Sequence, residues 1–399
     1  MRKIFAIGIF ITICFSMVNS AAQSRSVEQE LNQIVLKSME QYHVPAVSLA
    51  IIDHHRLVYA HAYSIEPDLK VNNKSLFQAA SLSKSVTAFG ALLLVDQEKI
   101  SLDKNVNDYL RSWKVTENAY TKKSKVTLRH LLDMTSGLSV SGFAGNEIND
   151  KLPTLQQILN GERPASNEPV KVFFTPGSKY FYSGGSYEVV QQLIEDVSHA
   201  TFANFMDENV FEPLGMRNSH FISVLPKYLQ NYAVPGFLKE GNRIPGNWKI
   251  IAALAAGGMW TTPTDLTKFV LNVMKSYHGK TSGLLSKNLA RTMLTRQENT
   301  DFGLGVIVDG CNKNLNFRKE GHNLGFYNWL IVFPNTGQGA VVMTNSENGV
   351  PVIQAIIKRI AQFYKWPTHY PLVDESEQIP ESMRCPDRYF PRSAVFNQY

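Results

Sequence analysis

Several familiar catalytic and binding signatures are missing from this sequence of 399 residues. It has no His-Glu-x-x-His string, which argues against the zinc chemistry of metallopeptidases. It also has no complete Gly-x-Ser-x-Gly elbow, since Gly184-Gly-Ser-Tyr-Glu188 lacks the final glycine. The formal charge is +6, but the basic residues are scattered, and only Lys122, Lys123 and Lys125 cluster. The sequence therefore favours neither a metal enzyme nor a nucleic-acid-binding protein.

Cysteine is scarce as well, with three residues in the chain. Cys14 lies in an N-terminal hydrophobic run, so removal of that run would leave Cys311 and Cys385. In an oxidising compartment these two could form a disulfide. The sequence does not place their Cα atoms within bonding distance, and their pairing stays open at this stage.

Long hydrophobic runs are confined to the N-terminus. Arg2 and Lys3 precede an apolar run over residues 4–18, and Asn19-Ser-Ala-Ala22 follows it. That order is typical of a signal peptide, so we expect residues 1–22 to be removed and the protein to be exported, either to the periplasm or out of the cell. The alternative is an uncleaved membrane anchor, for which the run is short compared with the about 20 residues that span a bilayer.

The pattern over residues 27–365 predicts a single α+β domain. Apolar runs near the start predict two strands, at 46–53 and 57–63, and the middle of the chain is mainly helical in pattern. Closely spaced apolar runs joined by turns predict further antiparallel strands, at 304–309, 315–318, 326–333 and 340–344. We therefore expect an antiparallel sheet built from both chain ends and flanked by helices, with an inserted helical lobe and a cleft between the two. Residues 366–399 form a tail with no assignable role.

The stretch Phe77–Val95 carries the strongest chemical signal. It predicts a helix that is apolar on nearly every side and therefore buried, yet its first turn holds Ser81 and Lys84. Residues three apart on a helix lie on one face, so the hydroxyl and the amine can come within hydrogen-bonding reach. A second Ser-x-x-Lys string, Ser101 to Lys104, lies in a polar connection where nothing would desolvate the lysine.

This placement predicts nucleophilic catalysis. Burial lowers the affinity of Lys84 for its proton, and a partly neutral lysine can accept the proton of Ser81 as the serine attacks an acyl group. The Ser81 backbone N–H, at the start of the helix, can face the developing oxyanion.

Two later motifs complete an ordered set. Tyr182-Ser-Gly184 comes just before a predicted helix, and Gly321-His-Asn-Leu-Gly325 comes just before a predicted strand. With Ser81-x-x-Lys84, this order resembles the serine β-lactamase and penicillin-binding protein superfamily, on the side of class C β-lactamases, D,D-peptidases and their esterase relatives. The resemblance covers about residues 27–365 and includes four further segments, Leu131–Leu138, Pro213–Met216, Ala256–Thr262 and Phe302–Gly305.

The resemblance implies roles for the three central residues. Ser81 looks like the acylated nucleophile and Lys84 like the amine that moves its proton. Tyr182 stands at the position of the family tyrosine that relays protons in acylation and activates water for deacylation. The resemblance implies no cofactor and no metal.

The resemblance also marks substrate-binding positions and two departures. Gly184 stands where the usual Tyr-x-Asn has an asparagine that contacts the acylamide of the substrate. His322 stands where relatives carry lysine or histidine, and Leu324 takes the place of the glycine of Lys-Thr-Gly unless the motif shifts to Gly325. The second oxyanion N–H is expected near Gly325 or Phe326.

These residues predict an exported serine hydrolase that forms an acyl-enzyme on Ser81. The expected substrates are D-amino-acid peptides, peptidoglycan-derived amides or small esters, because both departures weaken recognition of a β-lactam carboxylate. The alternatives are a class C-like β-lactamase, or a penicillin-binding sensor that acylates without turnover. The expected partner is a small-molecule or peptide substrate, with membrane contact only through an uncleaved signal segment, and the sequence leaves the oligomeric state unknown.

Overall fold

A computed structural model describes residues 28–367 of the protein. The expected signal peptide, residues 1–22, and residues 368–399 of the tail lie outside these described residues. No helix in the described part of the chain is long and apolar enough to cross a membrane. Cys311 takes part in a disulfide bond. The other two cysteines lie outside the described range, so the pairing of Cys311 with Cys385 stays open.

The strands form two antiparallel sheets. In chain order they are β1 (Ala46–Asp53), β2 (Arg56–Ser64), β3 (Phe77–Gln78), β4 (His220–Phe221), β5 (Met259–Thr261), β6 (Ile307–Asp309), β7 (Asn316–Asn323), β8 (Phe326–Phe333) and β9 (Gln338–Thr344). The main sheet has the order β2-β1-β9-β8-β7-β6, and the small sheet has the order β3-β5-β4. The first two strands of the chain therefore pair with the last ones, through β1 and β9.

Helices cover both faces of the main sheet and make up most of the inserted region. They are α1 (28–42), α2 (Leu82–Asp96), α3 (Ala119–Lys123), α4 (Leu128–Leu132), α5 (Leu155–Asn160), α6 (Gly184–Ser198), α7 (Phe202–Met206), α8 (Glu212–Leu214), α9 (Lys227–Gln230), α10 (Leu254–Gly257), α11 (Pro263–Tyr277), α12 (Lys287–Met293) and α13 (Gly349–Phe363). A π-helical turn, Asp207–Phe211, joins α7 to α8.

Two apolar cores, one on each face of the sheet, explain why the central strands lack the alternation of apolar and polar residues that is typical of a half-exposed sheet. One core joins α1 and α13 to one face of the sheet, through residues such as Val35, Ile353 and Trp329. The larger core lies on the other face and contains the apolar side chains of α2, a helix that is buried over nearly its whole length. Strand β1 is buried along both faces, and an unbroken apolar run is the sequence that such a position requires.

The predicted α+β architecture is confirmed, including a sheet built from both chain ends and an inserted helical region. One strand is longer than its apolar pattern indicated. The run at 315–318 predicts a short strand, but β7 continues through Lys319 and His322 to Asn323, paired with β8 along that length. Within residues 28–367, β7 has no strand partner on its β6 side beyond Arg318, because β6 pairs only with Asn316–Arg318. The extension brings Lys319 and Gly321, as well as His322, into the strand.

Candidate active site

Ser81 stands at the entrance of the buried helix α2. It directly precedes Leu82 and is partly exposed, while every residue from Leu82 to Leu94 is buried. The residue before it, Ala80, has a φ of 50°, in the left-handed region that a side chain rarely adopts. This tight turn joins the buried strand β3 to α2 and leaves the hydroxyl of Ser81 accessible at the edge of the core.

Lys84 lies one turn further along the helix and reaches back to the serine. Its Nζ donates to Ser81 Oγ at 3.2 Å and to the carbonyl oxygen of Ala256, in α10, at 2.6 Å. Burial lowers the pKa of the Lys84 ammonium, and the nearby charge of Lys319 lowers that pKa further, while Tyr182 and Glu188 act in the opposite direction. The amine is therefore held beside the hydroxyl with a weakened hold on its proton.

Tyr182 completes the arrangement from the start of α6. Its hydroxyl donates to Ser81 Oγ at 2.7 Å. The tyrosine directly precedes the N-terminal cap of this helix, Ser183, whose side chain accepts from the backbone N–H of Ser186 at 2.9 Å. The structure thus brings together Ser81, Lys84 and Tyr182, the three residues predicted to carry the chemistry.

Strand β7 presents Lys319 and Gly321 to this site. The Lys319 Nζ lies 5.2 Å from the centre of the Tyr182 ring and donates to the carbonyl oxygen of Glu320 at 2.8 Å. Lys319 is buried, and burial lowers its pKa to about 8. A Cβ at position 321 would lie 2.5 Å from the carbonyl oxygen of Ala79 and 3.0 Å from the backbone nitrogen of Ser81. Only glycine allows the strand to approach the nucleophile this closely.

His322 faces away from the serine, which corrects the sequence-based assignment. Alternate residues of a strand point to opposite faces, so the side on which Gly321 meets Ser81 is not the side of the His322 ring. The His322 Nε2 lies 3.0 Å from the carboxylate of Glu347, and its ring stacks on Tyr327 with centroids 4.2 Å apart. The lysine of a Lys-x-Gly motif is supplied instead by Lys319. The string Lys319-Glu-Gly321 in the sequence is the signal that could have found it.

Gly325, in the turn after β7, and Phe326, the first residue of β8, are the predicted region of the second oxyanion donor. The N–H of Gly325 donates to Glu347 Oε1 at 2.5 Å, so the single donor of that residue is already used. Phe326 begins β8 opposite Asn323, and its ring packs 6.0 Å from that of Trp260. The geometry contradicts the expectation for Gly325, and the part of β7 that approaches the Ser81 amide is Gly321.

The aromatic ring of Phe143, which the sequence analysis did not identify, occupies the space beside Gly184. The N–H of Gly184 donates to the carbonyl oxygen of Ser141 at 3.1 Å, and a Cβ at position 184 would lie 3.0 Å from Cε2 of Phe143. Residues 139–143 therefore pack directly against the start of α6, two residues after Tyr182. An asparagine side chain at position 184 would need the space that Phe143 occupies.

The comparisons with known proteins agree with this geometry. The family model described as "Beta-lactamase" matches residues 31–364. The chain belongs to this family. Penicillin-binding protein 4* of Bacillus subtilis strain 168 is 26% identical over 328 residues, which are 77% of this chain and 68% of that protein. Protein flp of Staphylococcus aureus strain MW2 is 20% identical over 335 residues, 80% of this chain and 63% of flp. The chain thus spans about two thirds of the length of these relatives.

Solved structures of other proteins share the fold. The octameric penicillin-binding protein homologue from Pyrococcus abyssi has a TM-score of 0.69 at 23% identity, covering 84% of this chain and 77% of that one. The D-amino acid amidase from Ochrobactrum anthropi SV3 has a TM-score of 0.68 at 20% identity, covering 84% and 98%. Family membership, together with the Ser81 geometry, makes this β-lactamase-family protein a serine hydrolase.

Proposed function

We propose that this protein is an exported hydrolase that forms an acyl-enzyme on Ser81 and acts on D-amino-acid peptides, peptidoglycan-derived amides or small esters. The single observation that carries the proposal is the pair of hydrogen bonds on Ser81 Oγ. Both donors, the Tyr182 hydroxyl at 2.7 Å and the Lys84 amine at 3.2 Å, are ionisable groups that can release and take up a proton. A serine held in this way can lose its proton to either neighbour as it attacks.

The acyl transfer follows from this placement. Ser81 Oγ attacks the carbonyl carbon, and its proton passes to neutral Lys84 or through Tyr182. When the bond to the leaving group breaks, that proton goes to the leaving nitrogen or oxygen. Water then attacks the acyl-serine ester and gives its proton to the same groups, which releases the acid and restores Ser81. The buried Lys319 Nζ lies 5.2 Å from the centre of the Tyr182 ring, so its positive charge is close to the groups that move the proton.

The oxyanion of the tetrahedral intermediate needs donors on the opposite side of the serine. The Ser81 N–H at the start of α2 is one, and it benefits from the positive end of that helix. Strand β7 approaches this N–H at Gly321. Beyond Arg318, the edge of β7 next to β6 has no strand partner among the described residues. We therefore assign the second donor to the backbone of β7 next to Gly321.

The surroundings of Gly184 support small esters or D-amino-acid amides over β-lactams. With Phe143 against this glycine, the start of α6 offers an apolar ring where an amide side chain would bind an acylamide group. Substrates without an acylamide group lose no contact when glycine replaces asparagine at position 184. A D-amino acid amidase is among the solved structures that share this fold, and D-amino acid amides fall within this range of substrates.

Export is part of the proposal because residues 1–22 have the order of a signal peptide. A peptidoglycan-derived substrate would be met in the periplasm or outside the cell. Mass spectrometry of the N-terminus of protein from the native host tests this part. A mature chain starting near Gln23 supports export, and a chain that still begins at Met1 contradicts signal-peptide cleavage.

The substrate class is tested by intact-mass spectrometry with four substrates. They are a fluorescent penicillin, a chromogenic cephalosporin, a short-chain p-nitrophenyl ester and a D-alanine amide. We expect turnover of the ester or the amide, with a transient acyl adduct on Ser81. Fast cephalosporin turnover would instead identify a β-lactamase, and a stable penicillin adduct without turnover of any substrate would identify a sensor.

Replacing the nucleophile tests the mechanism directly. Ser81→Ala removes the only hydroxyl that Lys84 and Tyr182 share, so we expect no acyl adduct and no turnover above the uncatalysed rate. The fold should persist, since Ser81 is partly exposed and makes no side-chain cap of α2. Turnover and adduct formation are measured with the preferred substrate, and circular dichroism checks the fold. Unchanged turnover in the folded variant would contradict the mechanism.

A further inference from the structure

Glu188 is a buried carboxyl group that the acyl transfer described above does not use. It lies on α6, four residues after Gly184, and has no solvent-exposed surface. Its Oε1 accepts from the backbone N–H of Ala256 at 3.0 Å. Its Oε2 is buried and has no hydrogen-bond partner among the described residues. Most buried polar groups are satisfied, so a half-satisfied carboxyl next to an active site needs an explanation.

One residue, Ala256, links Glu188 to the catalytic lysine. The N–H of Ala256 is donated to Glu188, and the carbonyl oxygen of Ala256 accepts from Lys84 Nζ at 2.6 Å. The carboxyl and the amine therefore lie on the two sides of a single buried residue of α10. Within residues 28–367 they form no direct ion pair, so their charges interact across this short buried path.

An equivalent pair of neutral residues stands beside them. Thr87 Oγ1 donates to the carbonyl oxygen of Ala255 at 3.1 Å, and the N–H of Ala255 donates to Gln191 Oε1 at 3.3 Å. Thr87 follows Lys84 by three residues on α2, and Gln191 follows Glu188 by three residues on α6, so the two links run side by side. A neutral amide thus performs the structural task of holding α10. A carboxyl at position 188 adds a titratable charge that this task does not need.

Few charged groups act on the pair formed by Glu188 and Lys84. Lys84 faces the carboxyl from α2 and favours its ionised form, while Glu195, on α6 itself, opposes ionisation. Tyr182 and Lys319 act on Lys84 from the substrate side. The segment of α10 between the two groups, Leu254-Ala-Ala-Gly257, carries no charge. Burial is the largest influence and raises the pKa of Glu188 to about 8.

We propose that Glu188 is a positioning residue that sets the protonation state of Lys84. When Glu188 is ionised, it holds Lys84 as the ammonium; when Glu188 keeps its proton, Lys84 is free to be the neutral base that accepts the proton of Ser81. Glu188 forms no bond with the substrate, and the proton of Ser81 still passes to Lys84. This inference rests on the proposed acyl-enzyme function.

The test compares pH profiles of kcat/KM for a p-nitrophenyl ester in the wild type and in Glu188→Gln. The glutamine keeps an acceptor for the Ala256 N–H but removes the charge. Glu188 is ionised only as the pH rises through its pKa of about 8, so the two profiles should coincide at low pH and separate where the carboxylate forms. There the wild-type Lys84 keeps its proton to higher pH, and we expect the upper part of the acidic limb to lie about one pH unit lower in Glu188→Gln, the scale of a nearby opposite charge. Glu188→Asp should restore the limb toward its wild-type position.

Two further variants separate a charge effect from a packing effect. Thr87→Val and Gln191→Met break the neutral link beside Glu188, so they should lower thermal stability without moving the acidic limb. If they move it as far as Glu188→Gln does, the shift comes from displaced packing and the proposal is overturned. Glu188→Met, which also lacks the charge, repeats the test if the glutamine variant does not fold.

Intact-mass spectrometry in the same samples keeps the two proposals apart. If the ester leaves no acyl adduct on Ser81 in wild type or variant, the acyl-enzyme function fails. If the adduct forms but the acidic limbs of the wild type and of the folded Glu188→Gln or Glu188→Met variant coincide, the role of Glu188 fails while the acyl-enzyme function stands.

Discussion

At the scale of single residues, the site depends on which face of β7 meets the nucleophile. A strand presents successive side chains to opposite faces, so an error of one position exchanges a catalytic side chain for one on the other face. His322 and Lys319 differ in this way. The strand carries the buried lysine and Gly321 on the side of Ser81, and it carries the histidine on the side of Glu347.

Gly321→Ala tests the close approach of strand and serine. The added Cβ would lie 2.5 Å from the Ala79 carbonyl oxygen, so the strand must move away from Ser81. A displacement of about 1 Å at a catalytic site can cost about 100-fold in rate, and we expect a fall in kcat/KM of at least that size. Gly142→Ala is the matched control, because a Cβ there meets no atom within 4 Å. Equal activity of Gly321→Ala and the wild type would refute the assigned approach.

Tyr182→Phe removes one hydroxyl and leaves the ring in place. We expect turnover to fall by about 100-fold to 10,000-fold, the usual contribution of a general acid-base group. Steady-state kinetics with the preferred substrate measures this loss. Because Tyr182 is expected to serve both steps, rapid quenching should show that acylation and deacylation are both slowed. A variant that retains full activity would exclude Tyr182 from the chemistry.

At the scale of elements, the start and the end of α6 do different work. The start positions Tyr182, and the last turn holds a loop through Asp196. The carboxylate of Asp196 accepts from the backbone N–H groups of Arg111 and Ser112 at 2.6 and 3.1 Å and from the Ser112 hydroxyl at 2.6 Å. A single buried side chain therefore accepts three hydrogen bonds from this loop.

Asp196→Ala should destabilise the protein without disabling the site. It leaves two backbone N–H groups and a hydroxyl without their acceptor, and leaving such groups unsatisfied costs about 1–3 kcal/mol each when they are buried. We expect the free energy of unfolding to fall by about 2–4 kcal/mol, measured by urea denaturation. Asp108→Ala, at an exposed position near the loop, should change it by less than about 0.5 kcal/mol. Equal effects of both substitutions would contradict the anchoring role.

At the scale of the whole molecule, most of the fold could be predicted from the sequence. The strands at both chain ends are continuous apolar runs, and the helix after Ser81 is apolar all round, so their burial follows from composition. The central three site residues followed from spacing on that helix and from motif order. Lys319 could have been found from the string Lys319-Glu-Gly321, but the resemblance placed the motif three residues later, at His322. Phe143 and Glu188 could not be found by the same reasoning, because their roles come from contacts between segments far apart in sequence.

The pH dependence of stability is a property of the whole fold that one group can change. Burial raises the pKa of Glu188 from its usual range near 4.5 to about 8 in the folded protein. A raised folded-state pKa gives stability that is fully present below the unfolded pKa and is lost as the pH rises through the folded value. The glutamine of Glu188→Gln does not ionise, so the stability of this variant does not fall with pH for this reason. We therefore expect its Tm to gain on the wild type as the pH rises from about 5 to about 9.

Calorimetry at several pH values measures that difference, and the neutral-link variant Gln191→Met serves as its control. The control should run parallel to the wild type over the same pH range, because it removes no titratable group. A Tm difference between Glu188→Gln and the wild type that does not change with pH would show that the carboxyl keeps an ordinary pKa in the folded protein.

The short helix α10 has one more consequence, for how the protein can be observed. The amide hydrogens of Ala255 and Ala256 are donated to side chains of α6, and the carbonyl groups of the same two residues receive side chains of α2. These two hydrogens can exchange with solvent only when α10 separates from α6. Deuterium uptake at Ala255 and Ala256 therefore reports local opening of the catalytic centre, and comparing it with uptake in the core strand β8 distinguishes that opening from unfolding of the whole chain.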